Sequence, residues 1–198
     1  MKDKAIKFEP LFKSDKDWHN NACINWSHDP LELYIKGYKE AADSLVKKVI
    51  QTKGKQDSLV YPICFLYRQY IELRLKEIIR TGRELLDEGG SFPQHHKIKI
   101  LWPTAKKIMI EVYKDEGDPP DLSFVEHIIM EFSNLDPESF AFRYPLDKLG
   151  ENPLEGIYHI NLRHLSDCIN KFSEVIEAAS AGMSVYLDFK REMEAEAY

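Results

Sequence analysis

The sequence predicts an all-α fold, a helical bundle of about five main helices with a long C-terminal helix and a small β-hairpin between residues 140 and 161. Three observations carry that prediction. Apolar residues recur at intervals of three and four through most of the chain. The longest apolar segment, Val60 to Ile79 (VYPICFLYRQYIELRLKEII), is apolar on nearly every side, which marks a central helix. The final 37 residues from Leu162 hold a heptad-type seam well beyond ordinary globular helix length.

Residues 1–28 show no clear period and read as a loop-rich arm, with Trp18 and Trp26 expected to pack their indoles onto the body. His19, Cys23 and His28 lie close in sequence but match no zinc spacing and lack a fourth ligand, so no metal is expected. Residues 29–198 form one helical domain. Asp29-Pro30 has the chemistry of a helix start, an N-cap acceptor followed by proline at the first helical position. The first helix then runs to Thr52, with Leu31, Tyr34, Tyr38, Ala41, Ala42, Leu45 and Val49 at helical spacing. Gly37 inside it either permits a close helix contact or simply weakens the helix.

The central helix is expected from Ser58 to Leu86, with Pro62 in its first turn. Val60, Cys64, Ile71, Leu75 and Ile78 share one side, and Arg68 and Glu72 project into that same arc, four residues apart. Gln69, Lys76 and Arg80 make the polar arc. A charge on an inner face is costly unless paired and hydrogen-bonded. Arg68 and Glu72 therefore form either a structural ion pair that ties down loop backbone, or a fork held ready for a phosphate or carboxylate.

After the turn-rich residues 87–94 comes HHKIKILWPTAKKIMIEVY. Pro103 is expected to separate a short turn from a new helix. Lys97, Lys99, Lys106 and Lys107 make this the most basic local stretch. A further helix covers Leu122 to Leu135. Asp136-Pro137 is a turn, and FAFRYPLD and GIYHIN alternate as hairpin strands would. Asn161 is the expected N-cap of the last helix, whose seam Leu162, Leu165, Ile169, Phe172, Ile176, Ala179, Met183 and Tyr186 continues through Phe189 and Met193. An end projecting beyond the core would make a homodimer contact.

Of 198 residues, 27 are Lys or Arg and 33 Asp or Glu, a formal net charge of −6, which disfavours a generally basic nucleic-acid binder. The three cysteines are far apart, and Cys64 and Cys168 sit in apolar helical patterns, so reduced thiols are expected. With no signal-like start and no membrane-length apolar run, the expected compartment is the cytoplasm. No phosphate loop, HExxH helix or nucleophile elbow is present. His95 or His96 could move a proton near neutral pH. Asp136 reads first as a turn residue, and Arg143 with Tyr144 as either an ion-pair member or a ligand contact.

The segment FLYRQYIELRLKEII, followed by a loop and HHKIKILW, resembles the HEPN superfamily, helical domains of prokaryotic defence and toxin–antitoxin systems. Glu72 and Lys76 match its helix pattern and His96 its His-Asp-Leu-like start, with Lys97 in place of the Asp; FAFRYPLD is similar to a signature in uncharacterised bacterial proteins of this shape. The resemblance spans about residues 58–180. Catalytic members are metal-independent endoribonucleases carrying an Arg followed four to six residues later by a His. Here Arg143 meets no His before His159, and Arg163 is adjacent to His164. The resemblance thus implies a module without the standard nuclease motif and without cofactor. It would bind a nucleotide, RNA or partner protein through Arg68, Glu72, His96, Arg143 and Tyr144. A divergent ribonuclease using His96, Arg143 or His159 is the alternative, and a purely structural dimerisation domain a third.

Overall fold

A computed structural model of the chain describes residues 10–27, 29–117 and 121–197. The chain divides into two units, Met1–Pro30 and Leu31–Tyr198. Among the described residues of the first, a 3-10 turn spans Trp18–Asn20. Trp18 and Trp26 are 70% and 68% exposed.

The second unit is an all-α bundle: α1 (Leu31–Thr52), α2 (Gln56–Leu85), α3 (Ile98–Val112), α4 (Ser123–Leu135) and α5 (Leu162–Glu196). Helix α2 is the hub. It packs against α1, α3 and α5, while α4 bridges α3 and α5. From Tyr67 to Gly82 nearly every α2 residue is buried or half-buried, as expected of a helix apolar on most sides. No described helix is long and apolar enough to cross a membrane.

The buried face of α1 is centred on Ile35, Ala42 and Val46, and Tyr34 is 57% exposed. The face is therefore rotated from the one the spacing suggested. Gly82 marks the tightest crossing: a Cβ there would come within 2.0 Å of Ile108 Cγ2 and 2.8 Å of Met183 Cε. Here the hydrogen side chain lets α2, α3 and α5 converge. Gly37 meets nothing within 4 Å, so it serves no packing purpose.

Pro103 lies inside α3 rather than before it. Burial of Ile98, Leu101 and Trp102 anchors the turn that precedes it, and this packing outweighs the one hydrogen bond that proline removes. The expected hairpin is absent: residues 136–161 form turns and coil, with no strand among the described residues. The amides a ladder would need are used locally. Asp136 Oδ1 accepts from the N–H groups of Phe140 and Ala141, the Arg143 and Tyr144 amides donate to the Phe140 carbonyl, and Pro145 and Pro153 have no N–H to give.

Helix α5 starts as its sequence indicates, with the Asn161 side chain accepting from the His164 amide. It runs 35 residues. Its seam is buried through Ile169, Phe172, Ile176, Met183 and Leu187, whereas Val185, Phe189 and Met193 are 64%, 62% and 54% exposed.

Candidate functional site: a histidine held by buried charges

Arg68 is fully buried and Glu72 is 2% exposed. One helical turn apart, they pair as Arg68 Nη1 donates to Glu72 Oε2 at 2.9 Å. The other guanidinium nitrogens reach across the chain. Nη2 donates to the His96 carbonyl at 2.8 Å, and Nε to the Asp136 carbonyl at 3.4 Å, with Asp136 Oδ2 3.7 Å away. Three donor directions of one planar fork thus hold α2, the start of α3 and the end of α4 together.

The second oxygen of Glu72 carries the chemistry. Oε1 lies 2.8 Å from His96 Nδ1 and 3.1 Å from Lys76 Nζ. The His96 side chain is nevertheless 74% exposed. A buried carboxylate therefore grips one ring nitrogen while the ring faces solvent. With Nδ1 engaged, Nε2 is the nitrogen left to meet a ligand or exchange a proton. Arg68 fixes the same residue through its backbone, so His96 is held at both ends.

Lys76 belongs to this cluster rather than to a polar arc. It is 3% exposed, and its ammonium sits 5.2 Å from the centre of the Phe92 ring, a cation–π contact. The connection between α2 and α3 folds over it, which spacing along α2 alone does not reveal. Asp136, 1% exposed, both caps the following turn through Oδ1 and lays Oδ2 beside Arg68; Oδ2 has no hydrogen-bond partner. Beside it Cys64 is buried. Desolvation, reinforced by the Asp136 carboxylate, pushes its thiol from 9.0 to about 12, so the thiol stays protonated.

The structure brings Arg68, Glu72, Lys76, His96 and Asp136 into one network. Arg143 is exposed, with its guanidinium 5.8 Å from the Phe65 ring and 5.6 Å from the Tyr144 ring; Tyr144 stacks on Phe140. These aromatic contacts do not join Arg143 or Tyr144 to the Glu72–His96 pair. His159 is exposed. All three cysteines are free, and no described group of His, Cys, Asp and Glu is placed to hold a metal ion.

A second buried network surrounds Arg74, which sequence reasoning passed over. Arg74 is 2% exposed and donates to Glu32, Glu77, Glu177 and the Ser180 hydroxyl. Tyr70 donates to the other Glu177 oxygen at 2.8 Å. The network ties α1, α2 and α5 together at the far side of the hub. Its signal in the sequence was a second Arg/Glu pair on the central helix, Arg74 and Glu77, three residues apart.

Compared with known proteins, the chain matches no family model, no curated protein and no solved structure.

Proposed function

We propose that this protein is a HEPN-like helical module that binds a phosphate-bearing ligand, a nucleotide or RNA, at His96. The observation that carries the reading is the Glu72–His96 contact: a buried carboxylate orients an exposed imidazole. Such an arrangement is costly to build and has no packing role for the ring. Two neighbouring features favour an anion. Helix α3 begins two residues after His96, with Lys97 at its N-cap and no side chain capping its N-terminus, and a helix N-terminus attracts negative charge. His95, Lys97 and Lys99 are exposed on the same short segment, although Lys97 also pairs with Glu138. Arg68 does not itself face solvent; it acts by positioning His96. The sequence resemblance would place the module in a prokaryotic defence or toxin–antitoxin setting.

The test is fluorescence anisotropy with labelled single-stranded RNA, with nucleotides as competitors. Saturable binding by the wild type and at least a tenfold loss in His96→Ala support the reading. Unchanged binding in a folded His96→Ala protein removes it. A second reading is favoured by the same contact, because a histidine with Nδ1 tied to a carboxylate and Nε2 open can act as a general base. It is the divergent, metal-independent ribonuclease, with His96 as its base. Cleavage of labelled RNA in the presence of a chelator, lost in His96→Ala, would establish it, and intact RNA with the wild type would exclude it. The exposed apolar residues of α5 supply a homodimer contact under either reading.

A further inference from the structure

Away from His96, a cavity of about 510 Å³ opens between α4, the start of α5 and residues 142–160. That is within the usual range for small-molecule sites, about 300–1,000 Å³. Phe132, Phe142, Ile160 and Leu165 form its walls, with the protonated Cys64 thiol also in the lining. Glu131 and Glu155 are the acidic residues of its lining. Both are exposed, neither forms an ion pair among the described residues, and no Lys, Arg or His lines the cavity. The segment that closes one side has its backbone held in turns, by the Asn152 side chain on the Leu154 amide and by the Leu154 carbonyl on the Ile157 amide. That side of the opening is therefore held by the chain's own turns.

From this arrangement we infer a second binding site, for a small amphipathic cation: an apolar body of alkyl or aryl character carrying an ammonium group. The apolar walls bury the body, and Glu131 and Glu155 meet the positive end. A carboxylate-bearing ligand of the same shape would bring its charge against two like charges, with no basic group in the lining to offset them. The site is separate from the proposed phosphate site in both place and sign of charge, and it stands if that reading fails.

The probe is decyltrimethylammonium, used below its micelle-forming concentration, with decanoate as the anionic control. Binding is followed by calorimetry and by the methyl resonances of Ile157 and Ile160. Saturable binding of the cation that moves both methyls, with decanoate at least tenfold weaker, is the expected result. The double variant Glu131→Gln/Glu155→Gln changes only exposed carboxylates and should fold normally. It should weaken the cation at least fivefold and narrow the gap to decanoate. Leu165→Trp, which fills the cavity from its wall, should abolish binding of both; a wild-type-like circular dichroism spectrum checks its fold. No binding of the cation, equal binding of decanoate, or undiminished binding in the double carboxylate variant would each overturn the inference.

Discussion

Replacing Arg68 with Met removes the guanidinium that holds three parts of the chain together. The loss can be followed atom by atom. The Glu72 carboxylate keeps Lys76 and His96 but loses its 2.9 Å partner. The carbonyls of His96 and Asp136 lose their donor, and the buried Asp136 Oδ2 loses its nearest cation at 3.7 Å. Breaking one side of a buried ion pair costs about 3–5 kcal/mol, and an apolar Met of similar length recovers little because the site is lined by oxygens. For a chain of this size, about 2–4 °C of melting temperature is lost per kcal/mol, so a fall of roughly 6–20 °C is expected. Arg68→Lys should fall almost as far, since a single ammonium cannot span three acceptors in three directions. Glu72→Leu strands Arg68 and Lys76 without their carboxylate and should cost a similar amount. In the double variant Arg68→Met/Glu72→Leu, the two losses overlap. Urea unfolding followed by circular dichroism should show a total at least about 1.5 kcal/mol smaller than the sum of the singles. Additivity within about 0.5 kcal/mol, or single variants that cost under about 1 kcal/mol, would refute the reasoning.

Gly82→Ala should destabilise by about 1–3 kcal/mol in urea unfolding, because its Cβ would sit 2.0 Å from Ile108 Cγ2; Gly37→Ala, in open space, should stabilise α1 by about 0.5–1 kcal/mol. Tyr70 is held above its ordinary value of 10.0 by burial and by the Glu177 carboxylate, and Tyr67 by burial and Asp43. The native state therefore keeps both phenolic protons more tightly than the unfolded chain. Their stabilisation is complete below the unfolded value near pH 10 and is lost as pH rises toward the native values. Melting temperature should drop steeply above about pH 10, and less steeply in Tyr70→Phe. On the proposed homodimer, the wild type should have a dimer's mass by light scattering and Phe189→Glu a monomer's, with the melting profile of the bundle core unchanged in shape; a monomeric wild type, or a wild-type mass for the variant, would exclude the α5 overhang as the contact.

The helices were legible because their signal is local. Apolar period locates α1, α2, α4 and α5 to within a few residues, and Asn161 caps α5 as its chemistry indicates; Arg68 and Glu72 stand out because charge on an apolar arc needs a partner. What escaped depends on distant chain. Lys76 reads as polar until Phe92 covers it. The partners of Arg74 lie on α1 and α5, with Glu177 103 residues away. The alternation of Phe140, Phe142 and Tyr144 imitates a strand, but a buried aspartate four residues earlier spends the amides on a turn. Pro103 is carried inside a helix by three buried neighbours, a balance of packing against hydrogen bonding that propensity cannot weigh. The cavity by Glu131 and Glu155 arises from turns in residues 142–160, where no period points to a shape.

The most direct test is the imidazole nitrogen spectrum of His96, assigned by loss of its signals in His96→Ala and recorded as short single-stranded RNA is added. In the free protein, His96 should hold a proton on Nδ1, facing Glu72, with Nε2 unprotonated; added RNA should shift Nε2 most, and Glu72→Gln should blunt that response. A proton on Nε2 in the free protein, or an Nε2 resonance that does not move while RNA binds elsewhere, would contradict the account.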